Sequence, residues 1–201
     1  MKCIIYPVVA LLVFSLSVDM ARAGQTRSRD GELSVKVLKT PPVSVPNLFY
    51  QGNRQPLIPS PLFKLPIGAI QPEGWLKTQL DYMADGFTGH LDEISKWCNI
   101  KVSAWANSEG EGDYGWEELP YWLRGYTDLG YILHNKRVID ESKRWIDSTL
   151  ASQDSSGWFG PRVNLTNHDI WPNMLMLFVM RSYYEATGDR RVIPFMTNYF
   201  R

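Results

Sequence analysis

Residues 117–150, EELPYWLRGYTDLGYILHNKRVIDESKRWIDSTL, decide the fold. The first half places Leu119, Trp122, Leu123, Tyr126, Leu129 and Leu133 at offsets of 3, 4, 7, 10 and 14 from Leu119. That is one face of a 3.6-residue helix, with Pro120 in a first turn, where its missing N–H would have no partner anyway. The second half repeats the pattern with Val138, Ile139, Ser142, Trp145, Ile146, Thr149 and Leu150. Only a short polar segment around His134, Asn135 and Lys136 separates them, so the two helices must fold back on each other as an αα-hairpin.

A second hairpin follows. Residues 169–187 are apolar nearly all round in their middle, from Ile170 through Met174, Leu175, Met176, Leu177, Phe178, Val179 and Met180. A helix without a polar face is expected to be buried on all sides. From Arg190 the series Val192, Ile193, Phe195, Met196, Tyr199 and Phe200 starts another helix. The turn Asn135-Lys136-Arg137-Val138-Ile139 aligns with Asp189-Arg190-Arg191-Val192-Ile193 at an offset of 54 residues. A repeat of this length signals a helical array. Closing such hairpins into a ring buries helices of the 169–187 type, and six repeats would take about 320 residues. The expected fold is therefore all-α: an incomplete (α/α)6 toroid over residues 67–201. The sequence reaches Arg201 inside a helical pattern, without a capping glycine, and reads as the N-terminal part of a longer protein. Alone, it should expose apolar faces and be poorly soluble.

Upstream, Pro72 opens a helix carrying Trp75, Leu76, Gln79, Leu80 and Met83, stopped at Gly86, and residues 91–98 read as a shorter helix. Residues 99–115 form a loop rich in glycine and acidic groups. Residues 24–66 read as an extended Pro-rich arm, with seven prolines between Pro41 and Pro66. Alternation around Leu33, Val35 and Val37 suggests one short strand there, with no evident partner. Residues 1–23 read as a secretory signal peptide: Lys2, an apolar run over 3–14, and Ala21-Arg22-Ala23 before Gly24. That run is shorter than the roughly 20 residues a bilayer needs, so the mature protein is expected to be secreted or periplasmic, with no membrane anchor.

Composition narrows the chemistry. Of 201 residues, 44% are hydrophobic, and 21 Lys and Arg balance 21 Asp and Glu. A disordered chain is excluded, and nothing in the charge favours a nucleic-acid partner. Two cysteines, Cys3 in the signal and Cys98 on an apolar stripe, make no disulfide scaffold.

In a helical ring the long loops gather at one end and build the cleft. Those loops carry Trp105, Trp116, Trp158 and Trp171. Indole faces stack on the apolar faces of sugar rings, so four on one rim suit a carbohydrate; equally, large aromatics fill space between helices. Trp122 and Trp145 lie on helical stripes and read as core. Glu117 and Glu118 open a helix, where acids complement the positive helix end, or where one carboxylate faces the cleft to hold a sugar hydroxyl or act as acid or base. His168-Asp169 precedes the most apolar helix: the histidine either contacts a ligand or is a solvated loop residue beside a capping aspartate. Asn107, Glu109, Glu111, Gly112 and Glu118 match a calcium loop only weakly. Asn164-Leu165-Thr166 fits a glycosylation sequon.

Several motifs together resemble the catalytic domain of glycoside hydrolase family 127, the β-L-arabinofuranosidase family. They are Pro66-Ile67-Gly68-Ala69-Ile70-Gln71-Pro72-Glu73-Gly74-Trp75-Leu76, Gly86-Phe87-Thr88-Gly89-His90-Leu91-Asp92-Glu93, and Gly115-Trp116-Glu117-Glu118-Leu119-Pro120-Tyr121-Trp122-Leu123-Arg124-Gly125. Gly157-Trp158-Phe159-Gly160-Pro161 and Tyr183-Tyr184-Glu185-Ala186-Thr187-Gly188-Asp189 continue the series. The resemblance implies an (α/α)6 barrel followed by β-sandwich domains, in a secreted or periplasmic enzyme hydrolysing terminal sugars of plant-type glycans. It also implies a cysteine nucleophile on zinc and a separate glutamate acid/base, all beyond Arg201, so no catalytic residue and no metal ligand is carried over. What is carried over is a histidine–acidic pair at the head of an inner helix, here His168-Asp169-Ile170-Trp171, whose histidine would touch the sugar. A second histidine of that motif is replaced here by Asn173-Met174-Leu175. The expected substrate-binding set is His168, Asp169, Trp116, Glu117 and Trp171. The alternatives are a polysaccharide lyase or sugar epimerase on the same ring, or a non-catalytic glycan-binding protein.

Overall fold

A computed structural model describes residues 25–27, 33–35, 56, 58 and 65–201. The expected signal peptide and nearly all of the expected Pro-rich arm lie outside the described residues. Within the arm, β1 (Gln25–Arg27) pairs antiparallel with β2 (Leu33–Val35), in the register Thr26 opposite Ser34. The strand expected around Leu33 therefore has a partner, in the polar stretch just upstream.

Residues 65–201 are helical. The elements are α1 (Gly74–Asp85), α2 (Leu91–Ile94), α3 (Glu118–Leu133), α4 (Lys136–Ala151), α5 (Arg162–Thr166), α6 (Trp171–Thr187) and α7 (Val192–Tyr199). Both hairpin turns follow the sequence. α3 ends on His134 in the left-handed conformation, and the Asn135 side chain accepts a hydrogen bond from the Val138 N–H to start α4. α6 ends on left-handed Gly188. At the second turn Asp189 accepts from the Arg191 N–H two residues on, just before α7 begins at Val192.

α3 and α6 are parallel neighbours. Their N-terminal ends are joined by hydrogen bonds between residues 116–117 and 169–171. Midway, the Arg124 guanidinium lies over the Phe178 ring, and near their C-terminal ends the Tyr131 and Tyr183 rings meet at 6.4 Å. α4 covers the outer side of α3, with Trp122 edge-on to Trp145. Leu119, Leu123, Tyr126, Val138, Trp145, Ile146, Met176, Val179 and Met180 are sealed between these helices. Burial of each large side chain contributes about 1.5–3 kcal/mol. Burial also pushes the Tyr126 phenol up to about 12.

Four expectations are corrected. α6 is not buried all round: Met174 and Arg181 are exposed, and with Ile170, Phe178, Met196 and Phe200 they border an apolar groove of about 320 Å³. α3 packs on the other side of α6; within the described residues no helix lies over the groove. α1 begins at Gly74 rather than Pro72, and most of its apolar stripe faces outward, with Trp75 81% exposed. The helix is anchored through Ala84 and the turn after it, where Arg137 donates to the carbonyls of Ala84 and Gly89 and the Trp122 indole to that of Thr88. The helix expected over 91–98 breaks at extended Ser95 into α2 and a 3₁₀ turn, Lys96–Cys98. α5 adds a helix where the sequence pattern predicts none. It begins after Pro161 and holds only five residues, too few to show a period.

Candidate functional site

The site forms where the long connections enter α3 and α6. Trp116 and Glu117 immediately precede α3, and Asp169 and Ile170 precede α6. The Trp116 indole N–H donates to Asp169 Oδ2 at 2.7 Å. The Trp171 indole N–H donates back across the same seam to Glu117 Oε2. The Asp169 carboxylate also accepts from the Trp171 backbone N–H through Oδ1, at 3.1 Å. Four of the five expected residues are thus directly linked by hydrogen bonds. Their carboxylates sit at the positive ends of two helices, where charge is stabilised.

The fifth, His168, directly precedes Asp169 and is exposed. Its backbone is left-handed, at φ 58°, and so is that of Trp116, at φ 49°. A non-glycine residue held there costs about 1 kcal/mol or more, and such strain concentrates where a fold aims a side chain. Trp116 and Trp171 are 49% and 47% exposed.

The other two expected rim tryptophans are not on the rim. Trp105 is fully buried beneath the 99–115 loop, its indole donating to the Tyr114 carbonyl, and Trp158 packs against Tyr199. Trp97 and Tyr114 join the rim instead. With Gly115, Trp116, Glu117 and Glu118 they line an open cleft of about 470 Å³. Gly115 is required there, because a Cβ would stand 2.8 Å from Trp97 Cβ and Cγ. Sequence reasoning passes over Trp97 because its neighbour Cys98 draws the stretch into the core.

The weak calcium-loop reading finds no support. The Asn107 carboxamide is used within the loop, donating to the carbonyls of Ser103 and Glu111. Among the described residues no group of three or more His, Cys, Asp or Glu could hold a metal ion. Asn164 of the sequon is only 2% exposed and cannot carry a glycan in this fold. A second groove, of about 550 Å³, lies towards the opposite end of α3 between His90, Glu93, Lys136, Asp140 and Arg144. Its charges pair among themselves, as in His90–Glu93 and Lys136–Asp140.

No family model, curated protein or solved structure matches this chain. The reading of the site therefore rests on its own geometry. Two half-exposed indoles, fixed at their N–H edges by carboxylates, present flat apolar faces beside acceptor oxygens. That arrangement suits a ligand with both an apolar ring face and hydroxyl donors. No helix among the described residues is long and apolar enough to cross a membrane.

Proposed function

We propose that the chain is the N-terminal part of a secreted glycoside hydrolase acting on terminal sugars of plant-type glycans. In this reading its two hairpins are the opening arc of an (α/α)6 toroid and residues 24–66 an extended arm. The observation that carries it is the pairing of Trp116 and Trp171 at the shared N-terminal end of two parallel inner helices, each indole anchored by a carboxylate of the other hairpin. The repeat supports the toroid, since helices related by the 54-residue offset lie side by side and parallel. The uncovered strip along α6 supports it too, because a ring would supply the next hairpin there.

No catalytic residue is assigned among residues 65–201, and zinc enters only through the family resemblance. The engagement of both carboxylates by indole N–H groups favours a binding role for this rim, which keeps a non-catalytic glycan-binding protein as the second reading.

The test is to run the purified full-length protein, with the residues this reading places beyond Arg201, through gels containing arabinan and to assay it on an aryl β-L-arabinofuranoside. Retention with release of the aryl group supports the hydrolase. Retention without release supports the binding protein, and an ultraviolet-absorbing product from a polyuronate supports a lyase. Neither retention nor turnover overturns the glycan reading.

A further inference from the structure

We propose that Glu117 and Asp169 are positioning residues, and that the two-indole platform they hold takes an uncharged sugar ring rather than a uronate. The inference rests on the glycan reading above and specifies its ligand.

The positioning role follows from where the hydrogen bonds run. Trp116 belongs to the lead-in of α3 but bonds to Asp169 at the lead-in of α6; Trp171 begins α6 but bonds to Glu117 beside α3. Two bonds crossing one seam in opposite directions fix the edge of each indole, and each residue stays about half exposed. Asp169 has both oxygens engaged, one by the Trp116 indole and one by the Trp171 backbone. Glu117 accepts from Trp171 through Oε2. A glutamate acting as acid or base needs its carboxyl free to meet the substrate, whereas one that aims an indole needs only an acceptor oxygen. Glutamine supplies that acceptor and cannot transfer a proton, so it separates the two roles.

The ligand class follows from charge. The cleft wall of Trp97, Tyr114, Gly115, Trp116, Glu117 and Glu118 contains two carboxylates and no lysine or arginine. The adjacent cation, Lys96, has its ammonium 3.9 Å over the Trp97 ring. A uronate in that cleft would bring its negative charge against Glu117 and Glu118. An uncharged ring stacks on indole without that repulsion.

The experiment is calorimetric titration of the full chain with a neutral arabino-oligosaccharide and, separately, an oligogalacturonate, with melting temperatures measured for every variant. Expected is measurable binding of the neutral probe and at least tenfold weaker binding of the charged one, at about the level that like-charge contact imposes. Glu117→Ala should weaken neutral binding about tenfold, as loss of one stacked ring would. Glu117→Gln should stay within about twofold, because the acceptor survives. Trp171→Ala should lose as much as Glu117→Ala, and the double variant no more than Trp171→Ala alone, since coupled residues are not additive.

Equal loss in Glu117→Gln and Glu117→Ala at unchanged melting temperature overturns the positioning role, as does undiminished binding by Glu117→Ala. Preference for the oligogalacturonate overturns the ligand class but leaves the glycan reading standing. Binding of neither probe by the unaltered chain removes the glycan reading and this inference with it.

Discussion

The Arg124 guanidinium lies 4.8 Å above the centre of the Phe178 ring, and the two residues stand 54 positions apart, the same interval that separates Glu117 from Trp171. One repeat length therefore relates contacts at the mouth and at the middle of the α3–α6 seam. α3 and α6 pack parallel with residues one repeat apart in contact. A double-mutant cycle with Arg124→Met and Phe178→Leu should return a coupling of about 0.5–1 kcal/mol by chemical denaturation. Additive effects would mean that the register is held by the buried stripe alone.

Two glycines in this body should respond to alanine with opposite signs. Gly160 has φ +76°, and a Cβ there would stand 2.5 Å from Cε3 of buried Trp105. The indole cannot retreat, because its N–H is held by the Tyr114 carbonyl. Gly160→Ala should cost about 2–4 kcal/mol, the range for combined backbone strain and core overpacking. Gly125 lies within α3, and an added Cβ there would meet nothing within 4 Å. Gly125→Ala should stabilise by about 0.5–1 kcal/mol through helix propensity. Urea midpoints of the two variants, measured together, check both signs.

Much of this architecture is legible in the sequence because helical burial is periodic. The stripes of α3 and α4 predict Leu119, Leu123, Tyr126, Val138, Trp145 and Ile146, all of them buried. What periodicity cannot report is which helix face lacks a neighbour, and so Met174 on α6, expected inside, stands outside, and the apolar stripe of α1 leaves Trp75 exposed. Loop side chains have no period at all. Trp105 and Trp158 turn inward and Trp116 and Trp171 outward because of tertiary contacts, such as the approach of Gly160 to Trp105, that local pattern does not encode. The pairing of Glu117 with Trp171 does leave a trace: they are one repeat apart, and the offset found at the hairpin turns extends to the mouths of the helices.

Acid should loosen the junction between the hairpins. Hydrogen bonds from Arg191 hold the Asp189 carboxyl far below the ordinary carboxylate range. At Asp147 burial works upward, but hydrogen bonds from Lys143 and Arg191 outweigh it and keep that carboxyl low as well. Arg191 bridges the two, at 2.7 Å to Asp147 and 2.6 Å to Asp189, and so ties the start of α7 to α4. Both folded-state values are depressed, so the stabilisation is fully present above the unfolded aspartate value of about 3.9 and is lost as pH falls below it. Because Arg191 is half exposed, the network is worth about 1 kcal/mol after solvent screening. Melting curves from pH 7 to pH 2 should fall less steeply in the acid limb for Asp189→Asn than for the unaltered chain. Identical slopes would assign the acid sensitivity elsewhere.

The Cys98 thiol is buried in the same core cluster as Ala84 and the apolar stripe of α3. Burial is the largest influence on it and pushes it up to about 11, with Asp92 and Glu118 adding to the rise and a hydrogen bond with Ser95 opposing it. At pH 8 only about one thiol in a thousand would then be ionised, and the thiolate is the form that reacts. Iodoacetamide should therefore label the peptide containing Cys98 slowly under native conditions, and the rate should climb steeply only across the unfolding transition. Mass spectrometry of that peptide over a urea series measures this directly. Rapid native labelling would show that the 3₁₀ turn Lys96–Cys98 opens independently of the core, and would place the Trp97 wall of the cleft on a moving segment.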